Sequence, residues 1–139
     1  MKINFLIADE IRSEVTGKQT ILGLYPDSTI IVRNAAKTDN TPPKIPRLIE
    51  RVAILVNISD APDSKHEYHI KGQFINPSEQ PNGNEIDFGK RIIEKGKSYT
   101  IVLQSKPFEI KGLGTYYFNL SIDGEVHKLP FNIKDAPSK

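Results

Sequence analysis

Apolar side chains recur at every second position along most of this chain. Ile3, Phe5 and Ile7 alternate with Lys2, Asn4, Leu6 and Ala8. Tyr68, Ile70 and Phe74 alternate with Glu67, His69, Lys71 and Gln73, and Tyr99, Ile101 and Leu103 alternate with Thr100, Val102 and Gln104. A period of two marks half-buried strands, because successive side chains point to opposite faces of a sheet. Val52-Ala53-Ile54-Leu55-Val56 is apolar on both faces, which predicts a central strand. No stretch carries a helical stripe. The pattern predicts about nine strands, near 2–9, 18–25, 29–33, 48–58, 66–75, 85–93, 98–105, 114–122 and 125–133.

The clearest element lies at the end, in "GTYYFNLSIDGEVHKLPFNI". Asp123-Gly124 is a strong two-residue turn signal, since a type I′ turn needs positive φ at both positions. A turn there pairs Ile122 with Glu125, Leu120 with His127, Phe118 with Leu129 and Tyr116 with Phe131. Three of these pairs bring bulky side chains to one face, leaving Tyr117, Asn119 and Ser121 on the other. Pro130 cannot donate to a ladder, which predicts an edge strand or a bulge at this point. Gly89 is likewise expected to mark a bulge or a bend.

Short strands at this spacing, in an all-β chain, predict two packed antiparallel sheets, a β-sandwich of the immunoglobulin-like or C2-like kind. At 139 residues the chain suits a single domain, here 1–133, followed by a flexible tail over 134–139. The proline-containing segment 34–46, "NAAKTDNTPPKIP", reads as a crossing between sheets, and 76–84 as an exposed loop. A hydrophobic content of 37% with 26% charged residues is ordinary for a globular protein and argues against wholesale disorder.

Charge and cysteine content narrow the function classes. A net charge of +2 without a run of like charges gives no footprint for nucleic acid. The absence of cysteine removes disulfides, thiolate nucleophiles and cysteine-bound metals, and fits a reducing, cytoplasmic setting. The start, "MKINFLIADE", lacks the long apolar centre of a signal peptide, and no stretch approaches a membrane span.

Several short motifs suggest chemistry and fail on inspection. "TGKQTILG" has the Gly-Lys of a phosphate loop, but Arg12 stands where the first glycine belongs and Gln19 follows the lysine. A β-rich run comes next instead of a helix. Asp87-Phe88-Gly89 repeats a kinase tripeptide without the loops that accompany it. His66 and His69, three apart on a strand, point to opposite faces and cannot chelate one ion, and His127 is expected opposite Leu120. Asp9, Asp60 and Asp63 are too few and scattered for a calcium shell of six to eight oxygens. No catalytic residue, metal site or cofactor fingerprint is therefore expected, and the chain reads as a non-enzyme.

Two residue groups remain as candidate contact points. If the first two strands form a hairpin, Asp9, Glu10, Arg12 and Lys18 gather near its loop, where Asp9 or Glu10 would pair with Lys18 or Arg12. On the far face of the last hairpin, Tyr117, Asn119 and Ser121 offer an aromatic and amide surface that could meet a sugar or peptide.

"FLIADEIRSEVTGKQTILGLYPD" resembles the opening of an uncharacterised bacterial family of small β-sandwich proteins. Its first strand ends in Ala-Asp or Cys-Asp, and a Gly-Lys turn leads to a strand of the form "xLxGxY". The matching positions are Ala8, Asp9, Gly17, Lys18, Leu22, Gly23 and Tyr25, and "GTYYFNLSIDGE" resembles the family's last hairpin. The resemblance implies a stand-alone sandwich of unknown function, with no catalytic residues to carry over. The expected role is binding or assembly, through a protein partner or a homo-oligomer. The alternative is a carbohydrate- or small-ligand-binding module.

Overall fold

The computed structural model describes residues 1–32, 48–105 and 107–136. Among them there is no α-helix, only the 3-10 turn Pro26–Ser28. Eleven strands follow in order: β1 (Lys2–Ser13), β2 (Gln19–Leu24), β3 (Thr29–Val32), β4 (Leu48–Ile49), β5 (Val52–Ser59), β6 (Lys65–Ile75), β7 (Ile86–Glu94), β8 (Tyr99–Ser105), β9 (Phe108–Glu109), β10 (Gly114–Ile122) and β11 (Glu125–Asp135). They form a four-stranded sheet in the order β2-β1-β5-β8, a five-stranded sheet in the order β3-β11-β10-β6-β7, and the small pair β4-β9. Among the described residues the fold is all-β, and no sheet closes into a barrel.

The sequence expectation needs several corrections. Nine strands become eleven, because the expected strand 48–58 breaks at Glu50-Arg51 into β4 and β5, and β9 arises in what reads as a connection. The first strand runs four residues beyond its expected end, since its hairpin with β2 continues as far as the Ser13–Gln19 pair. Pairing is not wholly antiparallel, because β3 runs parallel to β11. That contact also draws Lys134 and Asp135, expected in the tail, into β11, and Ala136 N–H bonds Val32 O at 2.7 Å. The segment 34–46 and residues 137–139 lie outside the described residues.

The last hairpin has the register that its turn dictates. Ile122 pairs with Glu125, Leu120 with His127, Phe118 with Leu129 and Tyr116 with Phe131. Asp123 and Gly124 both have positive φ, at 50° and 84°, as a type I′ turn requires. Strand β11 is internal, not the expected edge. It tolerates Pro130 because β3 pairs only with Asn132–Asp135, so no described strand needs a donor on the outer side at Pro130. Gly89, at φ 78°, lies where the β6–β7 register shifts between Ile70 and Lys71, so the expected bulge is present.

One hydrophobic core draws on both large sheets. Ile7, Ile54, Val56, Ile58 and Ile101 come from the first, and Ile70, Phe74, Phe118, Leu120, Phe131 and Ile133 from the second. Its centre is aromatic: Phe74 lies 4.9 Å from Phe118 and 5.2 Å from Phe108, and Tyr116 stacks on Phe131 at 5.5 Å. Central β5 has the two apolar faces that its sequence announces, and the second face carries a separate cluster.

Candidate functional site

The residues of the opening motif meet between β1 and β2. Gly17, at φ 85°, makes the turn: its N–H bonds Glu14 O at 2.9 Å, and Glu14 N–H bonds Lys18 O at 2.8 Å. A strand follows this turn, so it lacks the helix N-terminus that a phosphate loop needs. Further along, Asp9 lies against Gly23 and accepts a hydrogen bond from the Tyr25 hydroxyl. Burial first, then this bond and the charge of Asp9, push the Tyr25 hydroxyl well above the ordinary phenol range. Asp9, Gly23 and Tyr25 thus form one structural unit, in which the aspartate occupies the space a Cβ on Gly23 would need.

The expected ion-pair clasp forms only in part. Arg12 Nε lies 3.3 Å from Glu10 Oε1, but these residues sit on one strand and do not bridge the hairpin. Glu10 also meets Arg51 Nη1 at 3.0 Å, beside a cavity of about 340 Å³ lined by Asp9, Glu10, Ile49, Glu50 and Arg51. Lys18 is exposed and makes no ion pair among the described residues. The loop is tied instead by Thr20 Oγ1 donating to Glu14 at 2.8 Å and by Ser13 donating to Gln19 at 3.0 Å.

The outer face of the four-stranded sheet holds a feature that motif reading missed. Leu6 pairs with Leu55, which pairs with Val102; one row along, Leu24 pairs with Ala8, which pairs with Ala53. These six side chains form two apolar rows on the side away from the main core. Ala8 and Ala53 are buried, Leu6, Leu55 and Val102 are partly buried, and Leu24 is 56% exposed. Polar residues bound the stripe, with Asn4, Asn57 and Thr100 in the next row and Gln104 at the other end. On β2, exposed Leu22 lies two residues from Leu24 and on the same face. The signal lay in "FLIADE" and "VAILV", where the positions expected to face solvent are also apolar.

The other expected surface is less open. Tyr117, Asn119 and Ser121 do share the partly buried outer face of β10. The Lys128 ammonium lies over the Tyr117 ring, 5.7 Å from its centroid, so one ring face already has a cation beside it. Thr115 and Asn132 bond each other nearby at 2.8 Å.

His66 and His69 point to opposite faces, as their spacing predicts, and each meets a carboxylate. His66 Nε2 lies 3.0 Å from Asp123 and His69 Nε2 lies 2.9 Å from Asp87. Asp123 also accepts the His69 N–H at 2.8 Å, and Asp87 accepts the Gly89 N–H at 2.7 Å. Among the described residues, no three His, Cys, Asp or Glu side chains gather so as to hold a metal ion.

The backbone donors, and then the histidines, hold both carboxyls below their ordinary value of 3.8. A depressed folded-state value means that the stabilisation is complete above the unfolded value and drains away as pH falls below about 3.8. Asp123→Asn keeps a residue suited to the turn but removes the titrating group. It is expected to flatten the acid limb of melting temperature against pH; an unchanged limb would show that Asp123 does not contribute.

A model described as "Family of unknown function (DUF6941)" matches residues 3–134. No curated protein matches. Among solved structures, the chain is similar to the alkylpurine DNA glycosylase AlkC of Pseudomonas fluorescens, at 12% identity and a TM-score of 0.46, covering 78% of this chain and 28% of that one. It is also similar to a β-glucosidase from Listeria innocua, at 8% identity and a TM-score of 0.31, covering 96% of this chain and 16% of that one. The chain therefore spans less than a third of either protein. Among the described residues, no helix is long and apolar enough to cross a membrane.

Proposed function

Since the chain belongs to this family of unknown function, its role has to rest on its own residues, and we propose that it is a non-enzymatic assembly module. It docks a protein surface, in the first place that of a second copy, on the outer face and β2 edge of its four-stranded sheet. The observation that carries this reading is the apolar stripe in which Leu6, Leu24, Leu55 and Val102 present surface around the buried Ala8 and Ala53, with its polar border. A sheet face turned to water normally alternates apolar inside and polar outside. A contiguous apolar patch rimmed by polar groups is what a docking surface requires. Edge strand β2 adds backbone groups that another strand can pair with.

The scaffold under this reading is a two-layer sandwich of the immunoglobulin-like or C2-like kind. In its favour, one core is shared by both large sheets. Tyr116, near the start of β10, also bonds back to the chain just upstream. Its hydroxyl accepts the Lys111 N–H at 2.8 Å and donates to Gly112 O at 2.7 Å, as the tyrosine corner of such folds does. We assign the module to the cytoplasm on its cysteine-free composition. The rival reading, a sugar or small ligand on Tyr117, Asn119 and Ser121, has the Lys128 ammonium beside one face of the Tyr117 ring.

Sedimentation velocity over a concentration series tests the reading. The unsubstituted chain is expected to associate, and Leu24→Lys to sediment as a monomer with an unchanged melting temperature, because Leu24 is already largely exposed. A chain that is strictly monomeric at every concentration and retains no partner in a pull-down overturns the proposal.

A further inference from the structure

At the opposite end of β1 from Asp9, about 26 Å away for eight residues of extended chain, lies a second cavity. It measures about 370 Å³ and is lined by Met1, Pro62, Asp63, Tyr68, Ile122, Asp123, Glu125 and His127. That is within the usual range for a small-ligand site, about 300–1,000 Å³. Its wall carries three carboxylates: Asp123 meets His66 at 3.0 Å, Glu125 lies 3.9 Å from His127, and Asp63 stands in an exposed loop. Met1, Pro62 and Ile122 supply an apolar lining.

A second observation is independent of the carboxylates. Tyr68 is only 6% exposed, and its hydroxyl is buried with no hydrogen-bond partner among the described residues. A buried hydroxyl with an unmade bond destabilises the fold, and a ligand that supplies the partner relieves that cost. Tyr68 itself lines the cavity, and burial, then the charges of Asp63 and Asp123, raise its hydroxyl above its ordinary value. His66 contacts the Tyr68 ring edge-on at 4.4 Å and pairs with Asp123, fixing both members of the wall.

We propose that this cavity binds a small organic cation, an alkylammonium group on an apolar stem. The ammonium N–H groups would meet Asp63, Asp123 or Glu125 and the vacant acceptor of the Tyr68 hydroxyl, while the stem lies on Ile122 and Pro62. Anions are disfavoured by the three carboxylates, and a neutral molecule, even one whose hydroxyl pairs with Tyr68, brings no charge to match them. The ammonium could belong to a free diamine or to a lysine side chain of another protein.

Isothermal titration calorimetry on the full chain tests this with cadaverine, N-acetyl-lysine methylamide and 1-pentanol. One or both amines are expected to bind, with the tighter one naming the source, and pentanol is expected not to. Tyr68→Phe keeps the ring and should fold at least as well, yet should weaken amine binding at least fivefold, as should Asp63→Asn in its exposed loop. The proposal is overturned if neither amine binds, if pentanol binds as well as the amines, or if both variants bind them as tightly as the unsubstituted chain.

Discussion

Phe118→Ala is expected to destabilise the protein by about 3–5 kcal/mol, the cost of deleting a fully buried aromatic side chain. Phe118 has no exposed surface, lies 4.9 Å from Phe74, and fills the hollow over Gly72. A Cβ built on Gly72 would come within 2.3 Å of the Phe118 ring tip, so the glycine and the ring are complementary shapes. Gly72→Ala should therefore also destabilise, by about 1–3 kcal/mol through overpacking. Combined with Phe118→Ala, it should cost much less than it does alone. Denaturant unfolding of the two single variants and the double variant checks the coupling. Additive values would mean that the ring does not depend on the missing Cβ.

Gly23→Ala should cost about 2–3 kcal/mol, from two sources. Its φ of 67° is left-handed, a conformation worth roughly 1–2 kcal/mol against an L side chain. The new Cβ would also stand 2.3 Å from an Asp9 carboxylate oxygen, driving Asp9 off the Tyr25 hydroxyl. Losing that bond adds about 1 kcal/mol. Gly17 supplies the control, because it shares a positive φ of 85° but has nothing within 4 Å of a built Cβ. Gly17→Ala should show the backbone cost alone. Thermal unfolding of both variants separates the terms, and equal losses would remove the Asp9 contact from the account.

These two sites show which parts of the molecule were legible in the sequence. The last hairpin could be read residue by residue, because Asp123-Gly124 sets the register and the alternation confirms it locally. The first hairpin was legible for the same reason at Gly17. The parallel partnership of β3 with β11 was not, since it joins segments a hundred residues apart and leaves no local pattern. Strands β4 and β9 are two residues each, too short for any period to register. The link between Asp9, Gly23 and Tyr25 was visible as a motif but not as chemistry, because cross-strand placement alone makes Asp9 the neighbour of Gly23.

The candidate surface was half legible. "VAILV" announces a strand with two apolar faces and so identifies β5 as central. Leu6 and Ala8 occupy the face of β1 that alternation assigns to solvent, and that mismatch was the available signal. Seeing that they continue a row through Leu55 and Val102 required the β1–β5–β8 register. Tyr68 looked like an ordinary core residue, because a sequence does not reveal whether a buried hydroxyl has found a partner.

In the proposed assembly the outer stripe of the four-stranded sheet is a contact surface between protein molecules. Methyl NMR spectra of the chain, taken across a dilution series, test it most directly. The methyl signals of Leu6, Leu24, Leu55 and Val102 are expected to shift together with concentration, while those of the buried Ile70 and Ile133 stay fixed. Signals from the stripe that do not move, or concentration-dependent shifts confined to another surface such as exposed Ile92 on β7, would contradict it.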